Sequence, residues 1–138
     1  MKQISVFVEN QPGSLMRVTS ALNEAKVNIR AAASFDTPEF GILLLVVDQP
    51  VKAKEYLTSK GFVVRVQDVI GAELKDEKGN LNQMLKILAE GNISIGYIYS
   101  FVIRENRAPV MVFHSDDNEK ARGVLKEAGI LPLDDEEL

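Results

Sequence analysis

The sequence predicts an α+β protein made of two tandem copies of one strand, helix, strand, strand, helix, strand unit, each an antiparallel sheet with two helices on one face. Three observations predict it. Apolar residues switch between a period of two and a helical period in that order, twice over. A polar turn after the first strand, Glu9-Asn10-Gln11-Pro12-Gly13-Ser14-Leu15, returns as Lys75-Asp76-Glu77-Lys78-Gly79-Asn80-Leu81, 66 residues on. No linker composition separates the halves, so the expected domains are 1–68 and 69–138.

Gln3 to Val8 alternates as a strand, with Ile4, Val6 and Val8 on one face. Leu15, Val18, Leu22 and Ala25 then mark one face of a helix. Val27, Ile29, Ala31 and Ala33 alternate with Asn28, Arg30, Ala32 and Ser34 as a second strand, and Asp36 to Gly41 has the residues of a turn. Ile42 to Val47 is apolar throughout, which predicts a third strand covered on both faces. Asp48 is the expected cap of a helix carrying Ala53, Tyr56 and Leu57 and ending at Gly61, before a fourth strand with Phe62, Val64 and Val66.

The second copy opens at Val69-Ile70-Gly71-Ala72-Glu73-Leu74. Its helix carries Leu81, Met84, Leu85 and Leu88 and stops at Gly91. Strands follow at Ile93 to Phe101 and Val110 to Phe113, with Ile98 and Val102 expected opposite Ile95, Tyr97 and Phe101. Ala121, Val124, Leu125 and Ala128 line a last helix ending at Gly129, and Ile130, Leu131 and Leu133 suit a short closing strand. At an offset of 66, Leu22 meets Leu88, Val27 meets Ile93, Asn28 meets Ser94, Ile29 meets Ile95 and Ser34 meets Ser100. Past the hairpin the offset is 68, pairing Asp48 with Asp116, Leu57 with Leu125 and Gly61 with Gly129. Units under 70 residues are marginal alone, so each is expected to lean on the other or on a second chain through the sheet face away from its helices.

Composition narrows the chemistry. At 138 residues, 46% hydrophobic and 26% charged, the chain reads as globular and soluble. There is no cysteine and one histidine, so disulfides and thiolate sites are excluded and no metal or cofactor site is expected. Net charge is −4 with no cluster of Lys and Arg, which argues against nucleic acid. No apolar run approaches a bilayer's thickness and no signal core follows Met1, so a cytoplasmic protein without membrane contact is expected. The tail Asp134-Asp135-Glu136-Glu137 reads as a solvated end.

The turns are the candidate ligand loops. N–H groups of Gly13, Ser14 and Leu15 fall at a helix start, where donors lack partners and attract an anion such as a carboxylate. Gly13 admits close approach, Pro12 restricts the turn, and Asn10 offers an amide suited to a ligand's ammonium side. A second reading is open: Pro12, Gly13 and Ser14 start a helix with Ser14 as cap and do nothing more. Tyr97, Tyr99 and Phe101 share a strand face and read as core before ligand platform, Arg104 and Arg107 read as solvated, and His114 lies near no recognisable nucleophile. No catalytic residue is assigned.

The motif Asn10-x-Pro12-Gly13-x-Leu15 after the first strand, with Val27-Asn28-Ile29 opening the second, resembles the ACT domain, a small-molecule sensing module on a ferredoxin-like fold. The second copy keeps Asp76, Gly79 and Leu81 with Asn92-Ile93-Ser94-Ile95, but has Lys78 for the proline and Ser94 for Asn28. Over nearly its whole length the chain resembles tandem ACT proteins. The resemblance implies amino-acid binding where the loop of one unit meets the second strand of a neighbour. It nominates Asn10, Gln11, Pro12, Gly13, Ser14, Leu15, Asn28 and Ile29, and Asp76, Lys78, Gly79, Asn80, Leu81, Ser94 and Ile95, with Asp76 facing the ammonium. It further implies a homodimer, a branched-chain or aromatic ligand, and a partner enzyme of amino-acid or aromatic-acid metabolism. Two other classes stay in view: an interaction module with vestigial pockets, and a small enzyme, against which the missing cysteine, the single histidine and the lack of a spaced acid and base pair all stand.

Overall fold

A computed structural model describes residues 1–75, 77–101 and 107–133. Contacts divide the chain into two units, Lys2–Gln67 and Met1 with Asp68–Leu138. The first is built from β1 (Lys2–Val8), α1 (Ser14–Glu24), β2 (Ile29–Asp36), β3 (Gly41–Val47), α2 (Pro50–Ser59) and β4 (Val63–Asp68), with sheet order β2-β3-β1-β4. The second repeats it with β5 (Ile70–Glu73), α3 (Asn80–Glu90), β6 (Ile95–Ser100), β7 (Val110–Ser115), α4 (Asn118–Glu127) and β8 (Pro132–Leu133), in order β6-β7-β5-β8. Each is a ferredoxin-like unit whose two crossover helices cover one sheet face. Among the described residues no helix is long and apolar enough to cross a membrane.

Each core lies between helices and sheet. Val18 and Leu22 of α1 and Leu57 of α2 are wholly buried with Ile4, Val6 and Leu45; Met84, Leu88 and Leu125 meet Ile70 and Phe113 in the second unit. Burying a side chain of this size contributes about 1.5–3 kcal/mol. Leu44 and Val46, on the sheet face away from the helices, are buried as well, as the unbroken apolar run predicts. Leu15 and Leu81 depart from the expected pattern. They begin the apolar faces of their helices but are each 43% exposed. Ala128 is the exposed C-cap of α4 and not part of its buried face, and Val66 is also exposed.

A bulge interrupts the expected alternation at the same place in both units. In β2 the register slips between Ile29 and Ala31, and in β6 between Ile95 and Tyr97. The extra residue, Arg30 or Gly96, moves its two neighbours to opposite faces. Ile29 therefore joins the helix-side core while Ala31 leaves it, and Ile95 shares the core with Ile98 instead of siding with Tyr97. Val102 lies outside the described residues.

Asp48 does not cap α2. The N-cap is Gln49, which gives no side-chain hydrogen bond, and Pro50 presets the first turn. The Asp48 carboxylate accepts instead from the Asn28 N–H (2.9 Å), while the Asp48 N–H donates to the Asn28 carbonyl (3.1 Å). Asp116 repeats both bonds with Ser94 (3.0 and 3.1 Å), and Asp117 is the side-chain cap of α4.

The loops after β1 and β5 share one backbone construction. Gly13 (φ 86°) and Gly79 (φ 89°) are the N-caps of α1 and α3, in the left-handed region. The Gln11 N–H bonds the Glu9 carbonyl (2.9 Å) and the Ser14 N–H bonds the Gln11 carbonyl (3.2 Å); Glu77 with Lys75 (2.8 Å) and Asn80 with Glu77 (3.2 Å) repeat the pair. A side chain at such a φ is strained, which explains the glycine at both places.

At the head of the second unit Asp68 accepts from Arg122 and from the Met1 amino group. Burial pushes the Asp68 carboxyl up, but the Arg122 hydrogen bond and the Met1 charge outweigh it and hold the pKa below the ordinary value. A depressed carboxyl pKa contributes stability that is complete above the unfolded value of about 4 and is lost as pH falls through the folded value.

Two outcomes are expected. Gly79→Ala, where a Cβ meets no atom within 4 Å, costs about 1–2 kcal/mol from the backbone alone, and Gly79→Asn costs less because asparagine tolerates this region. Urea denaturation of the two variants checks this; equal losses would remove φ as the cause. Arg122→Gln raises the Asp68 midpoint in a carboxylate-resolved NMR titration, and an unchanged midpoint would refute the assignment of Arg122 as the group that lowers it.

Candidate functional site

The first loop closes one wall of a groove of about 420 Å³. Asn10, Gln11, Pro12, Ser14 and Leu15 line it from one side, and Ser34, Phe35 and Asp36 at the end of β2 line it from the other. The register explains the meeting. Val8 pairs with Gly41 and Asp36 pairs with Gly41, so the end of β1, the end of β2 and the start of β3 share one end of the sheet. The exposed half of Leu15 and the 44% exposed Phe35 give this groove apolar surface, and Glu9 and Asp36 give it negative charge.

Each loop residue has a definite role. The Asn10 amide donates to the Thr37 carbonyl (2.7 Å), tying the loop to the β2–β3 turn and leaving its Oδ1 as acceptor. Ser14 is not a cap; it is the first helical residue, buried, and its Oγ accepts from Arg17 (3.2 Å). Its N–H donates to the Gln11 carbonyl, so one of the expected trio of donors is already spent within the loop. Gly13 shapes the turn and does not line the groove.

Asn28 and Ile29 lie at the other end of this sheet, where Ile29 pairs with Val47. The seven steps of β2 from Ile29 to Asp36, at about 3.3 Å each, separate them from the loop by roughly 23 Å. Within one unit the nominated residues therefore fall into two separate groups, one at each end of the sheet. At the start of β2, Asp48 satisfies the main chain, and the exposed Asn28 side chain bonds no described residue. Ser94 stands the same way under Asp116.

The second loop carries different side chains on the same backbone. A groove of about 980 Å³ beside it is lined by Asn80, Lys75 and Gln83, by Leu74, Ile87 and Ile130, and by Lys126 and Arg122. The Asn80 amide donates to the Lys75 carbonyl (2.8 Å). Lys78, Gly79 and Leu81 are exposed but do not line it, and Ile95 is packed on the core. Asp76 lies outside the described residues, as do Arg104 and the 134–137 acidic run.

Tyr97 stacks on His114 (5.5 Å) and on Tyr99 (6.3 Å), on the sheet face away from the helices. Burial pushes the Tyr99 hydroxyl above the ordinary tyrosine value, with Tyr97 adding to it. Among the described residues no group of three or more His, Cys, Asp or Glu side chains is placed to hold a metal. Sequence reasoning missed Ser34, Phe35 and Asp36 as groove residues, and Asp48 and Asp116 as strand latches. The matching of Asp48 with Asp116 in the repeat was the signal available for the latches.

The description "ACT domain pair" matches residues 1–138. Among solved structures, protein BT0572 from Bacteroides thetaiotaomicron is 32% identical, with a TM-score of 0.88 over 96% of this chain and 90% of that one. The regulatory subunit of aspartate kinase from Thermus thermophilus, in a ligand-free form, is 17% identical, with a TM-score of 0.65 over 92% of this chain and 91% of that one. The corresponding subunit from Thermus flavus is 16% identical, with a TM-score of 0.62 over 93% and 92%. Curated proteins provide no match. With two ferredoxin-like units, a repeated glycine-started loop and a match along its entire length, the chain belongs to the ACT domain pair family.

Proposed function

We propose that this chain is a non-catalytic sensor that binds an amino acid and modulates a separate enzyme of amino-acid or aromatic-acid metabolism. What supports the reading is the loop and strand start built alike in both units. A helix start keeps free N–H donors beside each loop, and just before each second strand stands a polar side chain, Asn28 or Ser94, whose own main chain is already satisfied by Asp48 or Asp116. The α-carboxylate sits at a helix start and the ammonium faces an amide or carboxylate oxygen.

Because the loop and the strand start of one unit lie at opposite ends of its sheet, a complete site in this proposal takes its loop from one unit and its strand start from another, in a cytoplasmic homodimer. The ligand then shifts the assembly by its differential affinity for two arrangements, which the enzyme reads. The regulatory-subunit neighbours support the role, since those proteins share this architecture over nearly their whole length. A branched-chain or aromatic ligand is the class that the family resemblance suggested.

One observation favours an interaction module instead: the Asn10 and Asn80 amides are both spent on carbonyls of their own units. Thermal unfolding against each of the twenty amino acids at millimolar concentration separates the readings. A ligand at a hundred times its dissociation constant stabilises by about 2.7 kcal/mol, a shift of several degrees. A selective shift abolished by Gly13→Val and by Asn28→Ala is expected. No shift with any amino acid would favour the interaction module.

A further inference from the structure

The bulge in β2 inserts Arg30, a partly buried arginine whose guanidinium has no hydrogen bond or ion pair to any described residue. Its Nε is sealed from solvent with no acceptor, alone among the buried side-chain nitrogen and oxygen atoms of the described residues. A donor on a charged group that has lost water and gained no partner is costly, and such a group calls for an anion. Asp48, the carboxylate at this end of β2, has its Oδ1 on the Asn28 N–H (2.9 Å) and does not pair with Arg30.

The bulge itself does not require arginine. The second unit makes the same bulge with Gly96, where a Cβ would stand 3.4 Å from the His114 Nδ1. Arg30 stands two residues from Asn28, whose side chain is unbonded, and Gly96 stands two residues from Ser94. The two strand starts thus share a backbone and differ by one cation.

We propose that Arg30 is a specificity residue, and that the ligand site containing Asn28 takes an amino acid with a second carboxylate on its side chain, neutralised by this guanidinium. The site containing Ser94 takes a ligand without that charge. Arg30 supplies selection by charge, because arginine binds a planar carboxylate through paired N–H groups whereas an amide of the same shape offers it one neutral oxygen. The inference rests on the amino-acid reading given above.

Isothermal titration of the full chain with aspartate, glutamate, asparagine and glutamine tests it. One acid is expected to bind at least about tenfold tighter than its own amide, roughly 1.4 kcal/mol. Arg30→Gln should bring that ratio near one by weakening the acid far more than its amide, a pattern that general damage to the fold would not produce. Arg30→Lys, which keeps the charge without the fork, should give an intermediate ratio and serves if the glutamine variant does not fold. Amino-acid binding without preference for the acid, or a preference that survives both substitutions, overturns the role of Arg30 and leaves the sensor standing. Binding of no amino acid at all overturns both.

Discussion

The left-handed glycine at each helix start is the constraint on which the rest depends. A chain leaving β1 at Val8 must reverse into a helix that begins at Ser14, and the only residue on that path with a positive φ is Gly13. The turn sets where α1 lands on the sheet, and so which of its residues enter the core. It also decides that Leu15 stays half-exposed and that the helix presents free N–H groups beside the groove. Gly79 imposes the same path on α3, down to the pairing of Leu81 with Leu15 in exposure.

A second shared device acts at the far end of each sheet. There a carboxylate two residues ahead of the second helix locks the N–H of the residue just before the second strand, and a bulge follows two positions after that residue. Lock and bulge together give each strand a fixed start whose side chain has no structural duty. Fixed main chain with an idle polar side chain is the condition under which a small ligand can be met without first ordering the loop or strand that holds it.

Against this common backbone the two units have diverged in charge. Glu9 and Asp36 border the first groove, whereas Lys75, Lys126 and Arg122 border the second alongside Glu73, and Arg30 has glycine as its counterpart. A duplicated scaffold with unlike charges is suited to two ligands, or to one ligand with two affinities.

What the sequence determined by itself was the order of elements, their duplication and the position of the loops, because hydrophobic periodicity and turn residues are local signals repeated twice. The offset of 66 places Gly13 opposite Gly79, and Asn28 opposite Ser94, from the sequence alone. The tertiary structure decided what those residues do. An aspartate before a helix reads as a cap, and only the antiparallel neighbour of β3 shows that Asp48 serves β2 instead. The bulges carry no sequence signal, since Arg30 and Gly96 have nothing in common, so the faces of Ile29 and Ile95 could be assigned only from the ladder. Nor does spacing along the chain reveal that a loop and a strand start of one unit stand at opposite ends of its sheet. That separation comes from strand pairing, a nonlocal choice made by burial and main-chain hydrogen bonding together.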